Sequence, residues 1–234
     1  MNLDDITVTL SKRKTIALHI HEDGNVELRA PYGVRRRVLA DMVSEKSNWI
    51  KRKKAQCFER LSHLKDNKLQ WQAGAELPFY QHPVILNYHF GRRKTLIIED
   101  NKLLITAADD SPETLRKYYF EWLRKQAKPM FIEKAEYWSQ QLYQNCNGPI
   151  KIQPRLMSSR WGSCSNNKSL RLNLILLMLP EELIDYVIVH ELCHWQVFNH
   201  SRRFYQLLET VLPNWKTLEQ QLRKHQYLLL EVKQ

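Results

Sequence analysis

Three histidines and a glutamate fall within one short stretch, His190-Glu191-Leu-Cys-His194-Trp-Gln-Val-Phe-Asn-His200. On a helix, residues four apart lie on one face, so the His190 and His194 imidazoles can reach a single zinc ion at about 2.0–2.1 Å. Glu191 lies about 100° round the helix from His190. It flanks such an ion without ligating it, where it can take a proton from an activated water. Leu192 and Cys193 fall on other faces and are expected to pack. The plainer reading is a pair of helix histidines hydrogen-bonded inside a core.

The third histidine needs a turn. On a continued helix His200 would lie about 15 Å along the axis from His190, beyond ligand reach. The chain must therefore reverse between Trp195 and His200. Metzincins, with the same spacing, turn at a glycine. Here that position is Val197, whose β-branch resists a left-handed backbone. Asn199 is the expected point of reversal, because Asn tolerates that conformation, and Ser201 is expected to cap the next helix. No Met-turn is evident downstream, so the pattern is not that of a metzincin. Glu209 and His225 are rival third ligands; His200 is the nearest. The expected cofactor is one Zn2+ per chain.

These residues must be held by elements that the sequence also outlines. The run from Pro180-Glu181-Glu182 through Leu-Ile-Asp-Tyr-Val-Ile-Val reads as a buried helix leading into His190. Before it come a strand over 150–156, a polar loop over 157–169 and a second strand over 170–176. Zincins can hold a peptide by main-chain pairing on an edge strand, and the second strand, with Asn173, is the candidate. Arg160, in the loop Ser158-Ser-Arg-Trp-Gly-Ser-Cys164, can bind a substrate carboxylate or phosphate, or stabilise developing charge. It can equally pin the loop with Trp161.

Further upstream, short alternating segments at 6–10, 15–20 and 25–30 read as strands, with an Asp23-Gly24 turn. One amphipathic helix is expected over 38–64, its stripe including Leu39, Val43, Lys46 and Ile50. Strands return over 73–106. Ser111-Pro112-Glu113 starts a helix expected to run toward Gln144, with a kink or break at Pro129 and an end at Asn147-Gly148-Pro149. After the histidines, one helix reaches about Val211 and another runs from Pro213 toward His225. The fold class is α+β: a β-rich N-terminal region with one amphipathic helix over 1–110, then a region over 111–234 that carries the histidines.

The chain has 234 residues, 43% of them hydrophobic, enough for a sizeable core and far from a disordered composition. No apolar run approaches the roughly 18 residues of a membrane helix. The N-terminus has acidic residues and no apolar core, unlike a secretory signal, so a cytoplasmic protein without a membrane is expected. The four cysteines form no Cys-x-x-Cys pair and are expected to be free thiols. The net charge of +11, with clusters at Arg35–Arg37, Lys51–Lys54 and Arg92–Lys94, allows weak nucleic-acid binding.

His190-Glu-Leu-Cys-His194 followed by Asn199-His-Ser-Arg-Arg-Phe204, and preceded by Ser159-Arg-Trp-Gly-Ser-Cys-Ser165 and Leu170-Arg-Leu-Asn-Leu-Ile-Leu176, resembles the YgjP-like zinc metallopeptidases. These are distant relatives of the SprT- and Wss-like zincins. The resemblance extends to the opening Lys12–Pro31 segment and to Trp49-Ile-Lys-Arg-Lys-Lys54. It implies that 111–234 is a zincin-like metal-dependent hydrolase domain, with His190, His194 and His200 as zinc ligands and Glu191 as general base. The leading expectation is thus a zinc-dependent hydrolase that cleaves a peptide bond in an unknown peptide or protein. Two alternatives stay open: a metal-dependent nucleotide hydrolase acting on phosphoanhydrides, and a nucleic-acid-associated protein acting on DNA-bound proteins.

Overall fold

The computed structural model describes residues 3–21, 23–66, 68–143 and 149–233. The chain divides into two compact units, Met1–Lys68 and Leu69–Gln234, where the sequence pattern suggested a change near 107–112. Strands 76–107 belong to the larger unit because their apolar face shares its core with the helices that follow.

In the smaller unit, β1 (Thr7–Ser11), β2 (Ala17–Ile20) and β3 (Val26–Pro31) form a sheet in the order β1-β3-β2. β3 alternates, turning Val26, Leu28 and Ala30 inward. The β2–β3 turn uses Gly24 at φ +83°, and Asp23 accepts from the Asn25 backbone N–H at 2.9 Å. The expected single helix is two: α1 (Arg36–Glu45) and α2 (Ser47–Asp66). The break falls at Lys46, the position of the stripe that would carry an ammonium into the core, and the interruption leaves Lys46 exposed. Leu39, Val43 and Ile50 stay buried beneath the sheet.

The larger unit begins with β4 (Glu76–Leu77), β5 (Val84–Phe90), β6 (Thr95–Glu99) and β7 (Lys102–Ala107), in the order β4-β5-β7-β6. β6 and β7 join through Asp100 and Asn101, at φ +46° and +61°. Two positive φ angles in a two-residue loop match the twist of the hairpin strands. α3 (Pro112–Leu142) follows, with Ser111 accepting from the Thr114 backbone N–H and Pro112 opening the helix. Pro129 does not end it. Both Pro129 and Lys125, whose carbonyl loses its partner, are exposed, so water can satisfy what the ring removes. The expected continuation through Gln144 to Gly148 lies outside the described residues.

Next, β8 (Ile152–Arg155), β9 (Gly162–Cys164) and β10 (Leu170–Asn173) form a sheet in the order β8-β10-β9, parallel between β8 and β10, antiparallel between β10 and β9. The expected strand to Leu176 stops at Asn173, where a buried 3-10 turn, Leu174–Met178, takes over. Then come α4 (Glu181–Cys193), α5 (Arg202–Val211), α6 (Trp215–Lys224) and a terminal 3-10 segment, Gln226–Lys233. α4 is tied to α3 by Lys134, whose ammonium lies 2.6 Å from Glu181 and 2.9 Å from Asp185. The architecture is mixed α+β, strands concentrated before helices. Among the described residues no helix is long and apolar enough to cross a membrane. Cys57, Cys164 and Cys193 are free thiols; Cys146 lies outside the described residues.

Candidate metal centre

α4 is the element on which everything else is placed. Its faces are buried through Leu183, Ile184, Tyr186, Val187, Ile188 and Val189, so the helix cannot shift without disturbing the core. His190 lies one turn before its end and His194 caps it. Their ring centroids are 5.1 Å apart.

The chain then turns back. Trp195 N–H donates to the Leu192 carbonyl, and the Gln196 and Val197 N–H groups donate to the Cys193 carbonyl. No left-handed residue is needed: among the described non-glycine residues only Tyr80, Asp100, Asn101 and Lys168 have positive φ. The expected reversal through a left-handed Asn199 is therefore corrected. Tight helix-end hydrogen bonding makes the turn, and Val197 fits because its backbone stays in the ordinary region and its side chain is buried. His200 returns with Nε2 3.0 Å from Nε2 of His190.

One nitrogen from each of His190, His194 and His200 lies within 4.8 Å of the others. Glu209 and His225 are not part of this cluster among the described residues. Nδ1 of His194 lies 3.0 Å from the Val197 carbonyl. A carbonyl can only accept, so Nδ1 carries the proton and Nε2 keeps its lone pair. Burial, then His194 and His200, push the pKa of His190 down to about 3. Burial also lowers that of His194. Neutral imidazoles are the ligating form. Three nitrogens on a tetrahedral zinc at 2.0–2.1 Å would be roughly 3.3 Å apart, so the cluster fits a three-nitrogen ion with one open position.

Phe204, fully buried on α5, has its ring centroid 4.9, 4.8 and 4.8 Å from those of His190, His194 and His200. It is an apolar floor that excludes water from one side of the triad. Sequence reasoning quoted it in the Asn-His-Ser-Arg-Arg-Phe string but gave it no role. The apolar face of the helix that follows His200, with Phe204 and Leu208 four apart, was the available signal.

Glu191 is only 6% exposed and faces β9. Burial pushes its pKa up to about 7, against the Arg160 charge and the N–H donated by Cys164. A cation bound to the histidines would draw it down again. Gly162 explains the glycine of the Arg-Trp-Gly-Ser-Cys string: a Cβ there would stand 2.8 Å from both Cγ and Oε1 of Glu191.

Asn173 sits elsewhere than expected. β10 is the central strand of its sheet, and its hydrogen-bonding edges are taken by β8 and β9. Asn173 is fully buried. Its amide nitrogen donates to the carbonyls of Met157 (2.6 Å) and Arg160 (2.9 Å), and its backbone N–H donates to Trp161. It clamps the loop instead of touching substrate. The edge strand beside Glu191 is β9.

Arg160 is exposed and forms no ion pair among the described residues. It borders two openings that meet at His190 and Glu191. One, of about 500 Å³, reaches His194, Phe198 and His200. The other, of about 260 Å³, runs toward α6.

The YgjP-like metallopeptidase-domain family model matches residues 14–225. No curated protein matches the chain. Among solved structures, the chain is similar to the metallopeptidase zymogen abylysin of Pyrococcus abyssi, at 25% identity and a TM-score of 0.36 over 39% of this chain and 90% of that one. It is also similar to the zymogen jannalysin of Methanocaldococcus jannaschii, at 28% identity and a TM-score of 0.35 over 39% and 92%.

Proposed function

The chain belongs to the YgjP-like metallopeptidase family and is a metal-dependent hydrolase; from its site we propose a zinc-dependent peptidase in which Glu191 moves the protons. The observation that carries this reading is the meeting of three imidazole nitrogens with a buried carboxylate beside an edge strand. His190, His194 and His200 would hold the ion. Bound zinc supplies Lewis-acid polarisation of a carbonyl and makes water acidic enough to attack near neutral pH.

The chain's own groups do the rest. A peptide pairs along the outer edge of β9, which sets its carbonyl beside Glu191. Glu191 accepts a proton from the attacking water as the C–O bond forms. It returns that proton to the amide nitrogen as the C–N bond breaks. Arg160, exposed beside Glu191, lends positive charge to the oxygen that becomes anionic, or to a substrate carboxylate. Phe204 keeps water from the back of the triad.

The test pairs zinc analysis with a peptide and nucleotide activity screen. Glu191→Gln keeps one zinc per chain and loses about 10²–10⁴-fold in turnover. His200→Ala lowers zinc stoichiometry. Wild-type turnover in Glu191→Gln overturns the proton role. Phosphate release from nucleotides with no peptide cleavage overturns the substrate class.

A further inference from the structure

The 260 Å³ opening on the α6 side of Glu191 has walls of a different character from the rest of the site. Trp161, Tyr186, Val187 and Leu222 line it together with His190, Glu191 and Gln226. Its charges largely cancel: Nη2 of Arg223 lies 2.7 Å from Oε1 of Glu219 on the same helix. The remaining cation, Arg160, stands at the boundary with the larger opening.

Size decides what fits. A dry apolar cavity of about 150 Å³ is enough to hold benzene. An opening of about 260 Å³ therefore takes a benzyl, isobutyl or phenol group with room to enter. A strand laid along β9 sends successive side chains to opposite faces, so one side chain flanking the scissile bond is directed toward α6 while its neighbours are not.

Resting on the peptidase reading, we infer that this opening is the specificity subsite, and that the enzyme selects peptides with a bulky apolar residue at one fixed position next to the cleaved bond. An acidic side chain gains little there, because Arg223 is already paired and a carboxylate would lose its water against Trp161, Val187 and Leu222. Leu222, 8% exposed on α6, sets the depth.

The experiment uses the zinc-loaded full chain and a mixed-sequence peptide library, with cleavage sites mapped by mass spectrometry. Phe, Leu or Tyr is expected at one position, with kcat/KM about 10–100-fold above Ala or Gly there, the range that burying such a side chain supplies. Leu222→Trp fills the subsite and shifts the preference to small residues at unchanged zinc stoichiometry. Leu222→Ala deepens it and raises the preference for Trp, which keeps the test decisive if the larger substitution fails to fold. Cleavage with no preference, with an acidic preference, or with a preference that neither variant alters overturns the subsite alone. Absence of any peptide cleavage overturns the peptidase reading and this inference with it. A binding readout separates selection from turnover: zinc-loaded Glu191→Gln should bind a Phe-containing heptapeptide at least 10-fold tighter than its Ala counterpart by calorimetry, and equal affinities count against the subsite.

Discussion

Two walls border the larger opening beside Glu191, and they are held by contacts of different range. The β9 wall, residues 157–164, is fixed by polar bonds: Asn173 holds the carbonyls of Met157, Arg160 and Trp161 from inside the core. The return turn, residues 195–201, is fixed by hydrogen bonds to its own neighbours at the end of α4, by the buried Val197 and by Phe204 beneath the rings. The wall that would meet substrate needs a main chain set to tenths of an ångström, which directional hydrogen bonds supply. On the proposed metal reading, the wall that carries His200 needs only to bring a nitrogen near an ion, and short-range bonds with packing suffice.

Perturbing each wall in turn tests that division. Phe204→Ala should have the largest effect, about 3–5 kcal/mol of stability by denaturant unfolding, with zinc retention falling alongside. Zinc held as tightly as in the wild type would mean that the turn does not depend on its floor. Gly162→Ala acts on the other wall. Its Cβ displaces Glu191, so kcat should fall on the order of 10²-fold while metal analysis still finds one ion per chain. Loss of the ion from this variant would erase the distinction between the walls.

Asn173→Ala leaves the part-buried Met157 and Arg160 carbonyls without their side-chain donor and should cost about 1–3 kcal/mol. Because the loop it releases carries Arg160, KM should rise more than kcat falls; the reverse would place its effect on Glu191 instead. Smallest is Glu181→Gln, at the far end of α4. Lys134, then Tyr80, hold the Glu181 carboxyl down at about 2, below its ordinary 4.5. A depressed carboxyl stabilises the fold above its unfolded pKa, and the benefit disappears as pH falls from about 4.5 through about 2. With a third of the side chain exposed, the difference from wild type should stay within about 1 kcal/mol at pH 6 and vanish near pH 2. A gap that persists at pH 2 would assign the effect to packing.

Much of this could be read in the sequence because helix periodicity is local. His190, Glu191 and His194 follow from one turn of one helix, and the need for a reversal before His200 follows from the rise per residue. What escaped depended on contacts distant along the chain. β10 takes the centre of its sheet by pairing in parallel with β8, across the intervening β9, and no alternation pattern in either strand announces that. So Asn173 looked like an edge residue and is a buried clamp. Gly162 looked like a loop glycine, and its reason is a carboxylate 29 positions later. The helix break at Lys46 was visible as a charge on an apolar stripe, but the stripe was read as continuous.

The deep burial of the second half of α4, over Tyr186–Val189 and Glu191–Cys193, also sets the order in which the site comes apart. Amides of so buried a segment exchange with solvent only through large-scale opening. The return turn, with Phe198 57% exposed and His200 at the surface, opens at far lower free energy. On the proposed metal reading, His200 is expected to leave first on chelation or mild heating, while His190 and Glu191 stay in place. The expected intermediate is a folded state with two of the three proposed ligands, able to take up an ion again without refolding the chain.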